Sequence, residues 1–261
     1  MNETTSILEI SNLTKHFGGV RAVSNVDISV QEGQIASLIG PNGAGKTTLF
    51  NCVTGLEPPT DGSVKYQDQN IVGLRPDQIA EIGMARTFQN IRLFSELTVL
   101  DNVKIGRHCR SKSRLWNSIT RNQKQRQEES SITSNAFQQL SFVGLDGFRD
   151  QLAGNLSYGD QRRVEIARAL AMGPSLLLLD EPAAGMNPQE TQRLIELIHA
   201  IRERGITILL IEHDMKMVMQ ISDWVTVIAQ GEKISAGEPE TVQNDERVIK
   251  AYLGESYDAQ T

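Results

Sequence analysis

The stretch Gly40-Pro41-Asn42-Gly43-Ala44-Gly45-Lys46-Thr47 decides the fold of this chain. It has two glycines separated by four residues and followed by lysine and threonine, which is the full pattern of a P-loop. The apolar residues 34–39 before it predict a buried strand, and residues 47–53 after it predict a helix. Because a P-loop lies between a strand and a helix, this context favours phosphate binding over a glycine-rich turn that holds no ligand.

The residue types of this loop suit a chain of phosphates. Glycines allow a tight turn, so that successive backbone N–H groups point at phosphate oxygens, and the following helix presents its positive end. Lys46 can reach the β- and γ-phosphates, and the hydroxyl of Thr47 can bind Mg²⁺. The residues expected to bind the nucleotide here are Gly40, Pro41, Asn42, Gly43, Ala44, Gly45, Lys46, Thr47 and Thr48.

Two carboxylates follow a second apolar run. Residues 176–179 are four leucines, and Asp180 and Glu181 come directly after them. A buried strand that ends in acids places them at the carboxyl edge of the sheet, where the P-loop also lies. We expect Asp180 to hold Mg²⁺ through water and Glu181 to act as the general base on the attacking water. Alone, the two acids could equally stabilise a helix dipole, and the P-loop makes the catalytic interpretation the better one.

Other apolar runs predict the rest of the fold. Residues 7–17 and 20–30 are predicted as strands joined by the turn Gly18-Gly19, and residues 64–71 as another edge strand. Further buried strands are expected at residues 206–211 and 225–229. A helix is expected between the strands at residues 176–179 and 206–211. Its apolar residues lie on one face: Leu194, Leu197, Ile198 and Ile201. Alternating strands and helices imply an α/β fold with a parallel sheet, accompanied here by an antiparallel β layer.

A polar segment with a helical pattern, residues 101–154, interrupts this order and predicts a helical insert near residues 90–165. Within it, residues 107–126 carry seven Lys or Arg and no acid. We favour a solvated helical arm for this basic insert. A face for anionic lipid or an acidic partner is the alternative, and nucleic acid is less favoured because Trp116 is the only aromatic there.

The composition of the chain limits the classes of protein to which it can belong. The chain has 261 residues, 39% of them hydrophobic, and a net charge of -6, which is not the basic balance of a nucleic-acid-binding protein. The cysteines, Cys52 and Cys109, match no metal-binding spacing, and we expect a reducing compartment. The first ten residues do not predict a signal peptide, and the apolar runs are too short to span a bilayer. A membrane role would therefore depend on partners.

The segment Leu156-Ser157-Tyr158-Gly159-Asp160-Gln161 resembles the signature motif of ABC ATPases. The usual motif has glycine at the place of Tyr158 and glutamine at the place of Asp160. Ser157 and Gly159 are retained, and the resemblance implies that they bind the γ-phosphate of ATP held by an opposite subunit. A helix predicted over residues 161–171 would begin there, so Ser157 taken alone is better explained as an N-cap.

Other positions agree with this resemblance. Gln89 stands in the place of the family's glutamine loop, which implies that it binds Mg²⁺ and senses the transport subunit. His213, after a predicted strand, matches the switch histidine that contacts the γ-phosphate. Phe17 matches the aromatic residue that stacks on adenine, although by itself it would be assigned to the core. Asn187, in the loop that contacts the second subunit, replaces the usual aspartate.

The resemblance covers nearly the whole chain and is closest to ATP-binding subunits of branched-chain and neutral amino-acid importers. It implies a single ABC ATPase domain over residues 1–261, with a helical subdomain at about 90–165 and a short C-terminal helix at about 240–254. Residues 248, 249, 252 and 253 are expected on one face of that helix. The strings that suggest this subgroup are Phe17-Gly18-Gly19, Ala85-Arg86-Thr87-Phe88-Gln89, Asp180-Glu181-Pro182-Ala183-Ala184-Gly185, Ile211-Glu212-His213-Asp214-Met215 and Ala251-Tyr252-Leu253-Gly254-Glu255.

The resemblance also implies partners and place. We expect ATP and Mg²⁺ as ligands, two transmembrane permease subunits, a second ATPase subunit that is a paralogue or a second copy, and indirectly a periplasmic substrate-binding protein. No nucleic-acid partner is expected. The protein would lie on the cytoplasmic face of the bacterial inner membrane. Urea importers and lipopolysaccharide-export ATPases share several of the strings and stay as alternatives, as does a soluble non-transport ABC ATPase. A P-loop GTPase or kinase is less favoured, because no Asn-Lys-x-Asp string is present.

Overall fold

A computed structural model describes residues 5–108 and 123–258. In this part of the chain, strands and helices alternate around a central sheet. The strands are β1 (Ser6–Phe17), β2 (Val20–Gln31), β3 (Ile35–Ile39), β4 (Asp61–Tyr66), β5 (Gln69–Asn70), β6 (Met84–Arg86), β7 (Leu176–Asp180), β8 (Thr207–Ile211), β9 (Trp224–Ala229) and β10 (Glu232–Gly237). The helices are α1 (Lys46–Val53), α2 (Pro76–Glu81), α3 (Val99–His108), α4 (Gln123–Phe142), α5 (Tyr158–Ala171), α6 (Pro188–Glu203), α7 (Met215–Ile221), α8 (Pro239–Gln243) and α9 (Glu246–Asp258).

The central sheet has six strands in the order β10-β9-β3-β8-β7-β6. It is parallel except for β10, which pairs antiparallel with β9. The strands β3, β7 and β8 are buried along their whole length, as expected for unbroken apolar runs in a sheet covered on both faces. Leu38 and Asp180 both stand in register with Ile211, so the segments that follow these three strands leave the sheet at one edge.

The second sheet is antiparallel, with strand order β2-β1-β4-β5. The single edge strand predicted at residues 64–71 is wrong, because the chain turns back at Gln67 and Asp68 and forms two paired strands. Both residues have positive φ, 48° and 62°, as a two-residue type I′ hairpin turn requires. The strand β4 is therefore interior to the sheet, and β5 forms its edge.

The helical insert contains α3 and α4, which pack with α5. Val103, Ala136, Leu140 and Val164 are buried in one apolar cluster between these helices. A side chain at Gly106 would collide with the backbone of α5, which explains a glycine inside α3. The helix α5 continues to Ala171, beyond the predicted end of the insert. Most of the basic insert, residues 109–122, lies outside the described residues.

The C-terminal region forms two helices, α8 and α9, in place of the one helix predicted at about 240–254. Val248 is buried against β9 and Tyr252 packs on the same cluster, but Ile249 is exposed. The expected shared face is therefore wrong for Ile249, because residues 248 and 252 are one helical turn apart and Ile249 lies to the side. The side chain of Leu253 lies outside the described part of the protein. Among residues 5–108 and 123–258, no helix is both long and apolar enough to span a bilayer.

Candidate active site

The P-loop joins β3 to α1 at the carboxyl edge of the central sheet. Lys46 is buried, and its ammonium group donates hydrogen bonds to the carbonyl oxygens of Gly40 at 2.6 Å and Pro41 at 2.8 Å. The positive charge is thus held within the loop. Asn42 and Thr47 are exposed, and Thr48 is half-buried. The loop therefore offers a cation, hydroxyl groups and an accessible backbone on one surface.

Two loop glycines are required by close backbone packing. Gly40 and Gly45 have φ values of 153° and 99°, in the range that favours glycine. A Cβ at Gly40 would collide with the carbonyl oxygen of Ile228, and one at Gly45 would collide with that of Ala22. The loop is therefore held between β9 and β2 without room for a side chain at either position.

Asp180 lies at the end of β7, as predicted, and it is buried against Arg86. The Arg86 guanidinium donates to Asp180 at 2.7 Å and also to Asn51 of α1 and to Thr54 directly after it, at 2.9 and 3.0 Å. The same group lies over the ring of Phe88. Arg86 therefore fixes Asp180 relative to the helix that follows the P-loop.

Glu181, Gln89 and His213 are brought together from three parts of the chain. The amide nitrogen of Gln89 donates to Glu181 at 2.8 Å, and Nδ1 of His213 lies 3.8 Å from the same carboxylate. Glu181 has a positive φ of 45°, which is uncommon for a residue with a side chain and is often found at functional sites. The three residues predicted for catalysis thus form one cluster beyond the ends of β7 and β8.

A second acid, Glu212, lies beneath this cluster and was not assigned a role from the sequence. Its carboxylate accepts hydrogen bonds from the backbone N–H groups of Ala183 at 2.8 Å and His213 at 3.1 Å. Burial raises the pKa of Glu212 above its usual range, and these N–H donors act in the opposite direction. Glu212 follows β8 as Glu181 follows β7, so the rule that identified Glu181 could also have identified Glu212.

The signature segment begins α5. Ser157 is its N-cap, and the hydroxyl accepts from the backbone N–H of Asp160 at 3.2 Å. Asp160 forms an ion pair with Arg163 in the next turn, and Tyr158 is exposed. Gln161 donates to the carbonyl of Leu156. Tyr158 and Asp160, the two departures from the usual motif, are therefore accommodated by solvent exposure and by the ion pair with Arg163. Ser157 acts as the N-cap of α5.

Glycine is also favoured at position 159, where a Cβ would press on the carboxylate of Glu190. Glu190 and Asn187 form a capping box at the start of α6, with Asn187 accepting from two backbone N–H groups at 3.0 Å. Asn187 therefore keeps the hydrogen bonding expected of it. The start of α6 and the start of α5 lie side by side.

A buried arginine connects the signature helix to the glutamine loop. Arg162 is fully buried and donates to the backbone carbonyls of Phe88 at 2.5 Å and Gln89 at 2.6 Å. It also pairs with Glu165, whose pKa is raised by burial and lowered by Arg162. Sequence analysis missed this residue, since a charge on a helix gives no sign of burial.

Phe17 lies at the end of β1 and is 46% exposed, so it is not part of the core. The ammonium of Lys15 lies 4.9 Å from the centre of its ring. Lys15 itself is buried and donates to the carbonyl of Pro58. An exposed ring supported by a cation is available for stacking on a planar ligand.

Known proteins share this architecture. Residues 23–184 match the family model described as "ABC transporter", and residues 232–258 match "Branched-chain amino acid ATP-binding cassette transporter". The chain belongs to the ABC transporter family. This cassette is 47% identical, over 96% of its length and 98% of the relative's, to the high-affinity branched-chain amino acid transport ATP-binding protein LivG of Escherichia coli K12.

Solved structures agree with the family assignment. The ADP conformation of MJ1267, an ATP-binding cassette of an ABC transporter, has a TM-score of 0.85 and 33% identity, covering 96% of this cassette and 100% of that chain. A dimeric post-hydrolysis state of the cassette MJ0796, bound to ADP and phosphate, has a TM-score of 0.75 and 25% identity. The match covers 89% of this cassette and 98% of that chain. The predicted ABC ATPase fold is confirmed, and the cassette is a nucleotide-binding ATPase of this family.

Proposed function

We propose that the cassette is the ATP-hydrolysing subunit of an importer for branched-chain and other neutral amino acids. The observation that carries the hydrolytic part of this proposal is the convergence of Gln89, Glu181 and His213 at the sheet edge that also bears the P-loop. An activating carboxylate, a polar amide and an imidazole beside a phosphate-binding loop suit phosphoryl transfer to water.

Nucleotide binding is assigned to the P-loop and Phe17. Lys46 exchanges its bonds with the loop carbonyls for the β- and γ-phosphates, which adds charge-assisted hydrogen bonds. The backbone N–H groups from Gly43 to Thr48 and the positive end of α1 bind the remaining phosphate oxygens. The exposed ring of Phe17 stacks on adenine.

The oxygen donors for Mg²⁺ are the Thr47 hydroxyl, the Gln89 amide and the Asp180 carboxylate. These are the ligand types that Mg²⁺ prefers, and they suit a site that shares the ion with phosphates and water. Bound there, Mg²⁺ would neutralise charge on the β- and γ-phosphate oxygens. Asp180 is already fixed by Arg86, so its role would be through an intervening water.

Hydrolysis is assigned to Glu181 as general base. Its carboxylate takes a proton from water as the water oxygen bonds to the γ-phosphorus and the bond to the ADP oxygen breaks. Gln89 orients the carboxylate through its 2.8 Å hydrogen bond. His213, whose side chain is 58% exposed, contacts the γ-phosphate from the neighbouring strand end.

A second subunit would complete each site. Ser157 and Gly159 precede α5, and their donors and the helix N-terminus suit the γ-phosphate of ATP on the opposite cassette. The dimeric relative MJ0796 supports such pairing. The second cassette is either a copy of this chain or a paralogue.

Permease subunits are the proposed partners at the membrane. Phe94, Leu97 and Leu152 expose large apolar side chains near the glutamine loop. Their segments are held together, because Leu97 accepts a hydrogen bond from Ala153. We assign this patch to the permease, and we propose that the cassette lies on the cytoplasmic face of the inner membrane. A periplasmic binding protein would act through the permease.

The cargo assignment depends on the relatives. LivG is described as a branched-chain amino acid transport protein, and residues 232–258 match a family model of that description. Urea import and lipopolysaccharide export are less favoured for this reason. The test is purification of the tagged cassette from membranes of its host, followed by identification of the proteins bound to it.

We expect two permease subunits, and ATP hydrolysis by that complex in vesicles that is stimulated by leucine-loaded binding protein. Glu181→Gln should keep the complex and ATP binding but lose hydrolysis by about 100-fold or more. A complex that hydrolyses ATP at the parental rate with Glu181→Gln would reject the catalytic assignment. Stimulation by urea instead of leucine would reject the cargo.

A further inference from the structure

Glu212 is a buried acid that the proposed mechanism does not use. It follows β8 directly, and its side chain is 1% exposed. Within the described residues, its ion-pair contact is with His213, at 3.8 Å. The other fully buried glutamate there, Glu165, has the guanidinium groups of Arg162 and Arg168 beside it. Glu212 is instead stabilised mainly by backbone N–H groups.

These N–H groups belong to two different loops. One carboxylate oxygen accepts from Ala183, in the loop after β7, and the other accepts from His213, in the loop after β8. A third bond between the loops runs from the Glu181 N–H to the carbonyl of Ile211 at 2.9 Å. The two loops thus meet at a single buried carboxylate.

The residue type is suited to this bridge. A carboxylate has acceptor sites on both oxygens, whereas a glutamine amide would turn an N–H₂ group towards one of the two N–H donors. A buried acid also carries a desolvation cost, which its hydrogen bonds must offset. An apolar residue would avoid that cost but would remove the acceptor of the Ala183 and His213 N–H groups.

We propose that Glu212 is a positioning residue that holds the Ala183 loop and the His213 backbone in fixed relation. This inference rests on the proposed function, in which His213 contacts the γ-phosphate, and on the family resemblance, which implies that residues 183–187 contact the second cassette. Through Glu212, the placement of the dimer-contact loop and that of His213 are coupled. Glu181 lies between them, two residues before Ala183 and 3.8 Å from the His213 ring.

The experiment compares Glu212→Gln and Glu212→Asp with the wild-type cassette. Glutamine keeps the size and loses the second acceptor, and aspartate keeps the charge but is shorter by one methylene. Glu203→Gln, an exposed change at the end of α6, is the matched control. For each, kcat, KM and ATP affinity are measured at a temperature where circular dichroism shows the folded state.

We expect Glu212→Gln to lower kcat by on the order of 10- to 100-fold, the scale of a small misplacement of catalytic groups. ATP affinity should stay within about threefold, because the hydrogen bonds described for Glu212 run to Ala183 and His213, which lie outside the P-loop. Glu212→Asp should also have a kcat below that of the wild type, because the shorter side chain does not span the two loops. In a Glu181→Gln background, adding Glu212→Gln should weaken ATP-dependent dimerisation, measured by sedimentation velocity, by about tenfold or more.

A purely structural role predicts a different result. If Glu212→Gln lowers only the melting temperature, with kcat and dimerisation unchanged, the inference is rejected. Full activity of Glu212→Asp would also reject it, because charge and not bridging would then matter. Should Glu212→Gln not fold, Glu212→Asp carries the same comparison, and parental kcat there would again reject the inference.

The same samples separate this inference from the proposed function. ATP hydrolysis by the wild type and ATP-dependent dimerisation of Glu181→Gln test the proposed function directly. If both occur and the Glu212 variants behave as Glu203→Gln does, only the positioning role is rejected. If neither occurs, either with the cassette alone or with the purified transporter complex, the proposed function fails and the inference falls with it.

Discussion

The amide nitrogen of Gln89 donates a 2.8 Å hydrogen bond to the carboxylate of Glu181, across 92 residues of sequence. The two side chains were assigned different roles, one as a ligand of Mg²⁺ and the other as general base. Their contact lets one amide serve both, because its nitrogen orients the base while its oxygen is the end that can bind a cation. Base and metal site are thus joined through a single side chain.

Replacing this amide tests the joint role. Gln89→Ala should lower kcat by about 10- to 100-fold, because the base loses its orientation and the metal loses a ligand. ATP affinity measured without Mg²⁺ should not change, because the P-loop is intact. Gln192→Ala, an exposed change on α6, is the control. If ATP affinity without Mg²⁺ falls by as large a factor as kcat, Gln89 supports the P-loop instead.

The stacking role of Phe17 can be separated from phosphate binding. Phe17→Ala should weaken ATP binding by roughly 5- to 150-fold, the value of about 1–3 kcal/mol for stacking on a base, and leave inorganic triphosphate unaffected. Lys46→Ala should weaken both ligands. Calorimetric titration measures each, with the exposed Val20→Ala on the same hairpin as control. Equal weakening of triphosphate by Phe17→Ala would contradict stacking.

The buried Arg86–Asp180 pair should be strongly coupled. Their side chains are 7% and 4% exposed, so replacing one residue leaves the charge of the other buried without its partner. Arg86→Met should lower the free energy of unfolding by about 3–5 kcal/mol, and the double variant Arg86→Met/Asp180→Asn should recover much of it. Urea unfolding without nucleotide measures both. Additive losses in the double variant would show that the pair is not coupled.

Cys52 should react slowly in the folded protein. Burial raises its pKa from 9.0 to about 11, which lowers the thiolate fraction at pH 8 by about 100-fold. The same shift means that its contribution to stability is present below pH 9 and is lost as pH rises towards 11. In a Cys109→Ser background, alkylation at pH 8 should be at least about 100-fold slower than in urea. Equal rates would contradict burial of the thiol.

The sequence was sufficient where a pattern reflects a local requirement. The P-loop glycines, the leucine run before Asp180 and the apolar periodicity of α6 each follow from steric or burial rules that act over a few residues. The strands predicted at β1, β2, β3, β7, β8 and β9 were confirmed for that reason. The hairpin at Gln67 and Asp68 was missed, because glutamine is not typical of a type I′ turn and the usual glycine at its second position is absent.

Long-range contacts account for what the sequence did not predict. Arg86, Arg162 and Glu212 are charged residues whose burial depends on partners far away in the chain. No local pattern shows that Arg162 contacts the carbonyl of Gln89, 73 residues away. The placing of Gln89 and His213 at the site of Glu181 was likewise expected from the resemblance alone. Their assigned roles stay predictions until the variants are measured.

Uptake of labelled leucine tests the central claim most directly. Host cells lacking the gene would be compared with cells that carry the wild-type gene or Glu181→Gln at equal expression, with labelled proline and urea measured in parallel. We predict that deletion abolishes high-affinity leucine uptake, that the wild type restores it and that Glu181→Gln does not. Restoration of leucine uptake by Glu181→Gln, or loss of urea uptake alone on deletion, would contradict an amino-acid importer driven by this ATPase.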